Sequence, residues 1–264
     1  MIDTLTEQRE YWNRNENTEE YEKNNFSIFS DTKARRHILS RLDMVLKDPH
    51  SIVADLGCGP GHILPYLSER CSVVVKIDYA ENMLKEAQKR NSNLTNIVYR
   101  VGDMRKLNEW YGKFDVVVAT NSILPGSILE ADAMIKEIYR SLKDGGEFVA
   151  VMASIETSNY LARLQFERLI GEGLSEAEAV EKIRKEYEEV KKFDGIFGFM
   201  RDGPDNLVQK YFYRDEIMFM MRKAGFKLKS IGKVRYSWEH CRKYGYDYFP
   251  DHDEIYDWLV MAIK

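Results

Sequence analysis

Short apolar runs alternate along this chain with stretches whose apolar positions recur every three to four residues. The runs predict strands at Ile52–Leu56, Val73–Ile77, Ile97–Val101, Phe114–Ala119 and Glu147–Met152. The stretches between them predict helices over His62–Arg70, Ala80–Arg90 and Glu130–Leu142, the last closed by Asp144-Gly145-Gly146 as a glycine stop. Further on, a helix over Arg214–Lys223 ends at Gly225, and strands follow at Phe226–Gly232 and Tyr256–Ile263. Strands that alternate with helices need both faces of a sheet covered. The pattern therefore predicts a three-layer, doubly wound α/β fold with a mostly parallel seven-stranded sheet. Its last two strands are expected as a hairpin-like edge, with the last one antiparallel.

Two segments stand outside this alternation. Residues 1–48 read as helices rich in aromatics, with Tyr11, Trp12, Tyr21, Phe26 and Phe29. Residues 154–210 interrupt the core between its fifth and sixth strands. That insertion predicts helices over Ser158–Ile170 and Ser175–Lys192, the second opened by the capping box Ser175-Glu176-Ala177-Glu178. Extended segments at Gly195–Arg201 and Leu207–Tyr213 flank a turn at Asp202-Gly203-Pro204-Asp205. The expected organisation is a helical cap (1–48), a core (49–153 and 211–264) and an insertion (154–210) that forms a lid over the substrate.

Composition narrows the class. A chain of 264 residues, 44% apolar and 31% charged, can bury a sizeable core and has the make-up of a soluble globular protein. No stretch approaches the ~20 apolar residues of a membrane span, and the first residues lack the regions of a signal peptide. Cys58, Cys71 and Cys241 form an odd set without metal-type spacing, which predicts a reducing cytoplasm and no metal site. A net charge of −4 argues against nucleic acid as the main partner. A monomer and a homodimer are equally compatible with these features.

The candidate chemistry starts at Asp55-Leu56-Gly57-Cys58-Gly59-Pro60-Gly61. Alternate glycines let a strand turn sharply and bring backbone against a ligand. The helix that follows offers N–H groups and a positive dipole end. A dinucleotide site would have G-x-G-x-x-G, but its third position here falls on His62. Asp55 beside the loop favours a cationic or amine-bearing cofactor over a pyrophosphate. At the end of the second strand, Asp78 is placed to accept hydrogen bonds from both hydroxyls of a ribose, or else to cap the next helix. After the third strand, Asp103 can take the exocyclic amine of an adenine, with Met104 offering a backbone N–H and an apolar face.

These pieces, with Lys76-Ile77-Asp78-Tyr79-Ala80-Glu81-Asn82-Met83-Leu84, Gly102-Asp103-Met104, Phe114-Asp115-Val116-Val117-Val118 and Leu142-Lys143-Asp144-Gly145-Gly146, resemble the S-adenosylmethionine-dependent methyltransferases of the seven-stranded Rossmann-like type. The likeness covers residues 50–153 and extends through the last two strands. It implies S-adenosyl-L-methionine as cofactor and S-adenosyl-L-homocysteine as product. It implies that Gly57, Gly59 and Gly61, with Cys58 between them, pass under the methionine part, and that Asp78 holds the ribose. Tyr79 and Met83 would line the ribose–adenine slot, Asp103 and Met104 would take the adenine, and backbone near Thr120 and Asn121 would meet the amino-acid end. Asp55 would bias the site toward the ammonium or sulfonium.

The expected function is methyl transfer by in-line displacement to a small-molecule O, N, C or S atom. The alternatives are an RNA or protein methyltransferase and a non-catalytic adenosyl- or NAD-binding protein. Asn121-Ser122-Ile123-Leu124 departs from the Asn/Asp-Pro-Pro-Tyr pattern of many DNA and some protein N-methyltransferases. His240, between the last two strands, is the candidate general base, weighed against a packing role. The aromatic run Tyr244, Tyr246, Tyr248 and Phe249 is expected to pack over the sheet edge, and the basic stretch Lys227–Lys243 to form a solvated edge strand.

Overall fold

In the computed structural model, which describes residues 4–14, 26–57, 59–202 and 207–264, helix α1 (Thr4–Arg14) and helix α2 (Thr32–Val45) precede the sheet. There follow β1 (Ile52–Leu56), α3 (Leu64–Ser68), β2 (Val73–Asp78), α4 (Glu81–Arg90), β3 (Ile97–Val101), β4 (Phe114–Thr120), α5 (Ile128–Ser141) and β5 (Leu142–Met152). The insertion holds α6 (Ile155–Gly171), α7 (Glu176–Arg184), β6 (Phe199–Asp202) and β7 (Leu207–Lys210). The core resumes with α8 (Arg214–Ala224), β8 (Lys227–Arg235), α9 (Trp238–Lys243) and β9 (Tyr256–Ile263).

Seven strands form one sheet in the order β3-β2-β1-β4-β5-β9-β8. β1 through β5 run parallel to their neighbours, and β9 is antiparallel to both β5 and β8. The fold class is the expected one, and the last two strands pair antiparallel at the edge of the sheet as foreseen. β9 slots between β5 and β8, because its run Trp258–Ala262 is buried throughout and needs a partner on each side.

Alternate strand residues point to opposite faces, and both faces are apolar. Val53, Val74, Val116 and Val149 pack with Ile38, Leu42, Leu64 and Leu67 on one side. Ala54, Val75, Val117 and Ala150 pack with Ile135, Ile138, Ile217 and Met221 on the other. This is the reason the strands read as continuous apolar runs.

Some local expectations change. α5 ends at Ser141 and runs straight into β5, so Asp144-Gly145-Gly146 is no helix stop. Gly145 instead has φ +78 inside the strand, near a register shift against β4 between Phe114 and Val116. The helix foreseen at His62–Arg70 is a short one around Pro65. The capping box at Ser175 and Glu178 forms, but α7 passes after Arg184 into a π-helical turn, Lys185–Val190. Gly225, at φ 106, ends α8 as expected. β6 and β7 pair antiparallel; of the turn between them, 203–206 lie outside the described residues, as does Tyr21.

The N-terminal segment is tied down at defined points. Gln8 donates to the carbonyls of Leu124 (2.8 Å) and Val208 (3.2 Å), joining α1 to the loop after β4 and to β7. Asp31 caps α2 through Ala34 N–H (2.8 Å) and accepts from the N–H and hydroxyl of Ser237 (2.9 and 2.7 Å). Burial pushes the Asp31 pKa up, but these hydrogen bonds outweigh it and hold the carboxyl below its usual range. Its contribution is therefore complete at neutral pH and is lost as pH falls through that lowered pKa. Asp31→Ala is expected to cost about 2 kcal/mol at neutral pH, read as a lower denaturant midpoint, with the deficit shrinking in acid.

Candidate active site

The loop after β1 is shaped from its backbone. Gly57 has φ +65, and its N–H donates to the Ile77 carbonyl at 2.8 Å. A Cβ there would lie 2.8 Å from Ser122 Cβ and 3.0 Å from Met104 Cε. Ser122 braces the loop by donating to the Leu56 carbonyl at 2.6 Å. Gly61 serves packing instead: at φ +76, its Cβ would meet Leu64 at 2.7 Å and Ala87 at 3.2 Å.

Above the C-terminal ends of β1, β2, β4 and β5 opens a cavity of about 800 Å³. Gly57, Gly59, Asp78, Tyr79, Met83, Asp103, Met104, Thr120 and Asn121 all line it, so nine of the expected residues are brought together. Gln8, Tyr11 and Trp12 of α1 and Phe26–Phe29 close it from the N-terminal side. Thr157, Ser158, Leu161 and Gln165 of α6, together with Tyr187, Met200, Gln209 and Tyr211, contribute from the insertion. Tyr236, Tyr244, Tyr246 and Asp257 complete the wall. Tyr244 and Tyr246 thus line the cavity, while Tyr248 and Phe249 lie outside it. β8 is the solvated edge strand that was expected, with Lys229 paired to Glu147 at 2.8 Å.

Asp78 sits where β2 ends and lines the cavity; its Oδ1 accepts from Ala80 N–H at 2.9 Å, and the Gly59 N–H also bonds to its carboxylate. Burial pushes its pKa up and Asp55 adds to this. Lys76 and the N–H groups of Ala80 and Gly59 pull it the other way without cancelling the rise. Asp103 is gripped by its own neighbour: Arg105 Nη2 lies 2.7 Å from Oδ2 and Nε 3.1 Å from Oδ1, while Nη1 reaches Glu130 at 2.8 Å.

Three expected residues lie elsewhere, and Cys58 is outside the described residues. Gly61 faces α4. Asp55 is fully buried and opposes Lys76 in the β1–β2 register, with Lys76 Nζ 3.2 Å from its carboxylate. Its charge is met inside the sheet, so it reaches the cavity only through its effect on Asp78. His240 is 3% exposed on α9, packed against Phe26 (ring centroids 4.8 Å apart) and Tyr244 (5.0 Å), and is not part of the cavity wall. Burial lowers its pKa, as does Lys243; Asp31 and the Ser27 carbonyl oppose without prevailing. It lies on the helix α9, packed among aromatic rings, as the packing role had it.

Three cavity residues, Tyr236, Asp257 and Tyr187, were missed in the sequence. Tyr236 donates to Asp257 Oδ2 at 2.7 Å, and Ser154 N–H donates to Asp257 Oδ1 at 3.0 Å. An acidic residue at the head of the apolar run Trp258–Ile263 is the one trace of this site in the sequence. Tyr187, carried by the π-helical turn and donating to the Ser158 carbonyl at 3.0 Å, is likewise set by the tertiary fold.

The floor has the donor set that an adenosyl sulfonium cofactor needs. Gly57 provides a cradle that any Cβ would fill, and Asp78 presents a carboxylate to the cavity. Asn121, held at φ +50, also lines this space, and its Oδ1 is buried with no hydrogen-bond partner among the described residues. Such an acceptor suits an ammonium group. Among the described residues, no helix is long and apolar enough to cross a membrane.

Comparison with known proteins finds methyltransferases. Residues 53–146 match the family described as "Methyltransferase domain". An uncharacterized methyltransferase of Schizosaccharomyces pombe, C750.03c, is 30% identical over 115 residues, which span 42% of this chain and 78% of that protein. YqeM of Bacillus subtilis, provisionally named a methyltransferase, is 34% identical over 96 residues, 36% of this chain and 39% of its own length. The chain thus spans well under half of that relative. Magnesium protoporphyrin IX methyltransferase from Synechocystis, solved with bound S-adenosylmethionine, superposes with a TM-score of 0.60 at 16% identity, covering 100% of this chain and 98% of that one.

Proposed function

Because the chain belongs to the S-adenosylmethionine-dependent methyltransferases of the seven-stranded Rossmann-like class, we propose that it methylates a small molecule enclosed above the sheet. A cavity of about 800 Å³ carries this reading. That volume lies in the upper part of the range for small-ligand sites, and its walls divide into a floor suited to the donor and a covered upper half. The bound cofactor supplies an electrophilic methyl group on a sulfonium.

The residues of the chain do the rest. Asp78 receives the ribose hydroxyls, Tyr79 and Met83 flank the ribose and adenine, and Asp103 with Met104 takes the adenine edge. Asp103 does so while Arg105 holds it, which fixes its orientation. Gly57 and Gly59 let the methionine part approach the backbone, with Asn121 Oδ1 accepting from its ammonium. α1, Phe26–Phe29 and the 154–210 insertion act as cap and lid and exclude water, which strengthens every electrostatic contact inside. Holding the acceptor against the methyl group supplies of order 7–11 kcal/mol in favourable cases. His240 has no place in this scheme because it does not touch the cavity.

Incubation with methyl-labelled S-adenosylmethionine and separate metabolite, RNA and protein fractions tests the acceptor class. Label in a metabolite is the expected result; label confined to RNA or protein would replace this reading with the macromolecular one. A second expectation concerns pH. The ribose contact needs ionised Asp78, so affinity for S-adenosylhomocysteine should weaken as pH falls through the raised Asp78 pKa. Calorimetry across pH checks this, and Asp78→Asn should lack that limb.

A further inference from the structure

Asp257 lines the same cavity as the residues assigned to the donor. β9 runs antiparallel to β5, with Met152 opposite Trp258, so Asp257 stands at the same sheet edge as Asn121 and Ser154. Three groups from three elements hold it: the Tyr236 hydroxyl, Ser154 N–H and the Asn121 side chain. A carboxylate has about four lone-pair directions, so these leave one unused on a residue that lines the cavity. Among the described residues, no Lys or Arg pairs with it. The other carboxylates of the upper cavity have such partners: Asp247 with Arg168 at 2.7 Å and Glu186 with Lys191 at 3.1 Å.

The neighbouring wall is aromatic. Phe26 gathers the rings of Tyr236 (4.9 Å), Tyr244 (5.1 Å) and Tyr246 (5.8 Å), and all four line the cavity. A carboxylate without a cation, beside ring faces in an enclosed space, is complementary to an organic cation. Burial pushes the Asp257 pKa up, against the lowering effect of its three hydrogen bonds, which makes it a better proton acceptor than an ordinary carboxylate.

We propose that the upper cavity is an amine site: Asp257, beside the Phe26-centred rings, binds the methyl acceptor as a protonated amine and takes its proton. This rests on the methyltransferase reading given above. The ammonium N–H bond breaks and its proton passes to the Asp257 carboxylate. The freed nitrogen lone pair then forms the new N–C bond as the C–S bond breaks and leaves its electron pair on sulfur. Asp257 afterwards returns the proton to solvent. Asn121 links the two halves: its side chain bonds Asp257, and it lines the cavity together with the residues assigned to the donor.

The test uses calorimetry on the full chain saturated with S-adenosylhomocysteine, with 2-phenylethylammonium, 2-phenylethanol and phenylacetate as probes. The ammonium should bind tenfold or more tightly than the alcohol, as a charge-assisted hydrogen bond implies. Phenylacetate should bind worst. Asp257→Asn should abolish the ammonium preference while keeping the affinity for S-adenosylhomocysteine within about twofold. Equal binding of ammonium and alcohol by the wild type, or a preference that survives Asp257→Asn, would overturn the amine site alone and leave Asp257 a structural joint between β5 and β9. Failure of the wild type to bind S-adenosylhomocysteine would overturn the donor reading, and the amine site with it. The wild-type probe series decides the matter even if the variant does not fold.

Discussion

Lys76→Ala is expected to destabilise the protein by about 3–5 kcal/mol, the cost of leaving a buried charge without its partner. Lys76 and Asp55 are each fully buried, on adjacent strands at the centre of the sheet, with 3.2 Å between their charged atoms. Without the ammonium, Asp55 faces Asp78 inside the core. It is then driven toward its protonated form, which the unfolded chain does not favour at neutral pH. The folded variant would bind a proton that the unfolded one releases, so its stability should fall as pH rises. For a chain of this size the melting temperature should drop by roughly 10 °C, and more at pH 8 than at pH 5. Replacing both partners, as Asp55→Leu with Lys76→Met, should restore most of the loss, because an apolar pair of similar volume is often neutral or better. A single variant that melts with the wild type would remove the pair from the list of forces holding β1 to β2.

Asp78→Ala should abolish most of the affinity for S-adenosylhomocysteine. Two hydrogen bonds to a charged carboxylate are worth about 1.5–3 kcal/mol each, so their loss predicts a fall of at least about 100-fold. The fold should tolerate the change. Asp78 makes a local bond to Ala80 N–H, and its ionised form is already disfavoured by burial. Calorimetry with S-adenosylhomocysteine, beside a melting curve, separates the two effects. An affinity within threefold of wild type would break the ribose assignment.

Most of the core was legible because its signals are local. The spacing of apolar residues distinguishes strand from helix, and Gly57, Gly59, Asp78 and Asp103 each stand at a strand end whose position the runs disclose. Asp55 illustrates the limit. Its place beside the glycine loop is visible in the chain, but whether it looks into the cavity or into the sheet depends on which strand lies next to β1. Lys76 opposite it is a fact of register. His240 is a second example, since a histidine between two strands has no readable direction until α9 and Phe26 are placed around it. The pairing of β9 with β8 was legible because strands adjacent in sequence tend to pair, whereas the placement of β9 against β5 is collective, set by the burial of Trp258–Ala262.

By itself the sequence determined the alternating strands and helices, the doubly wound class, and the strand-end residues that line the cavity floor, because backbone conformation and side-chain periodicity act over a few residues. Only the tertiary structure decided the upper wall of the cavity. Asn121, Ser154, Tyr236 and Asp257 come from four places in the chain, and the Ser154–Asp257 bond alone joins residues 103 positions apart. No short-range rule brings such groups together; they meet because packing both faces of the sheet inserts β9 beside β5 and folds the cap and insertion over the same edge.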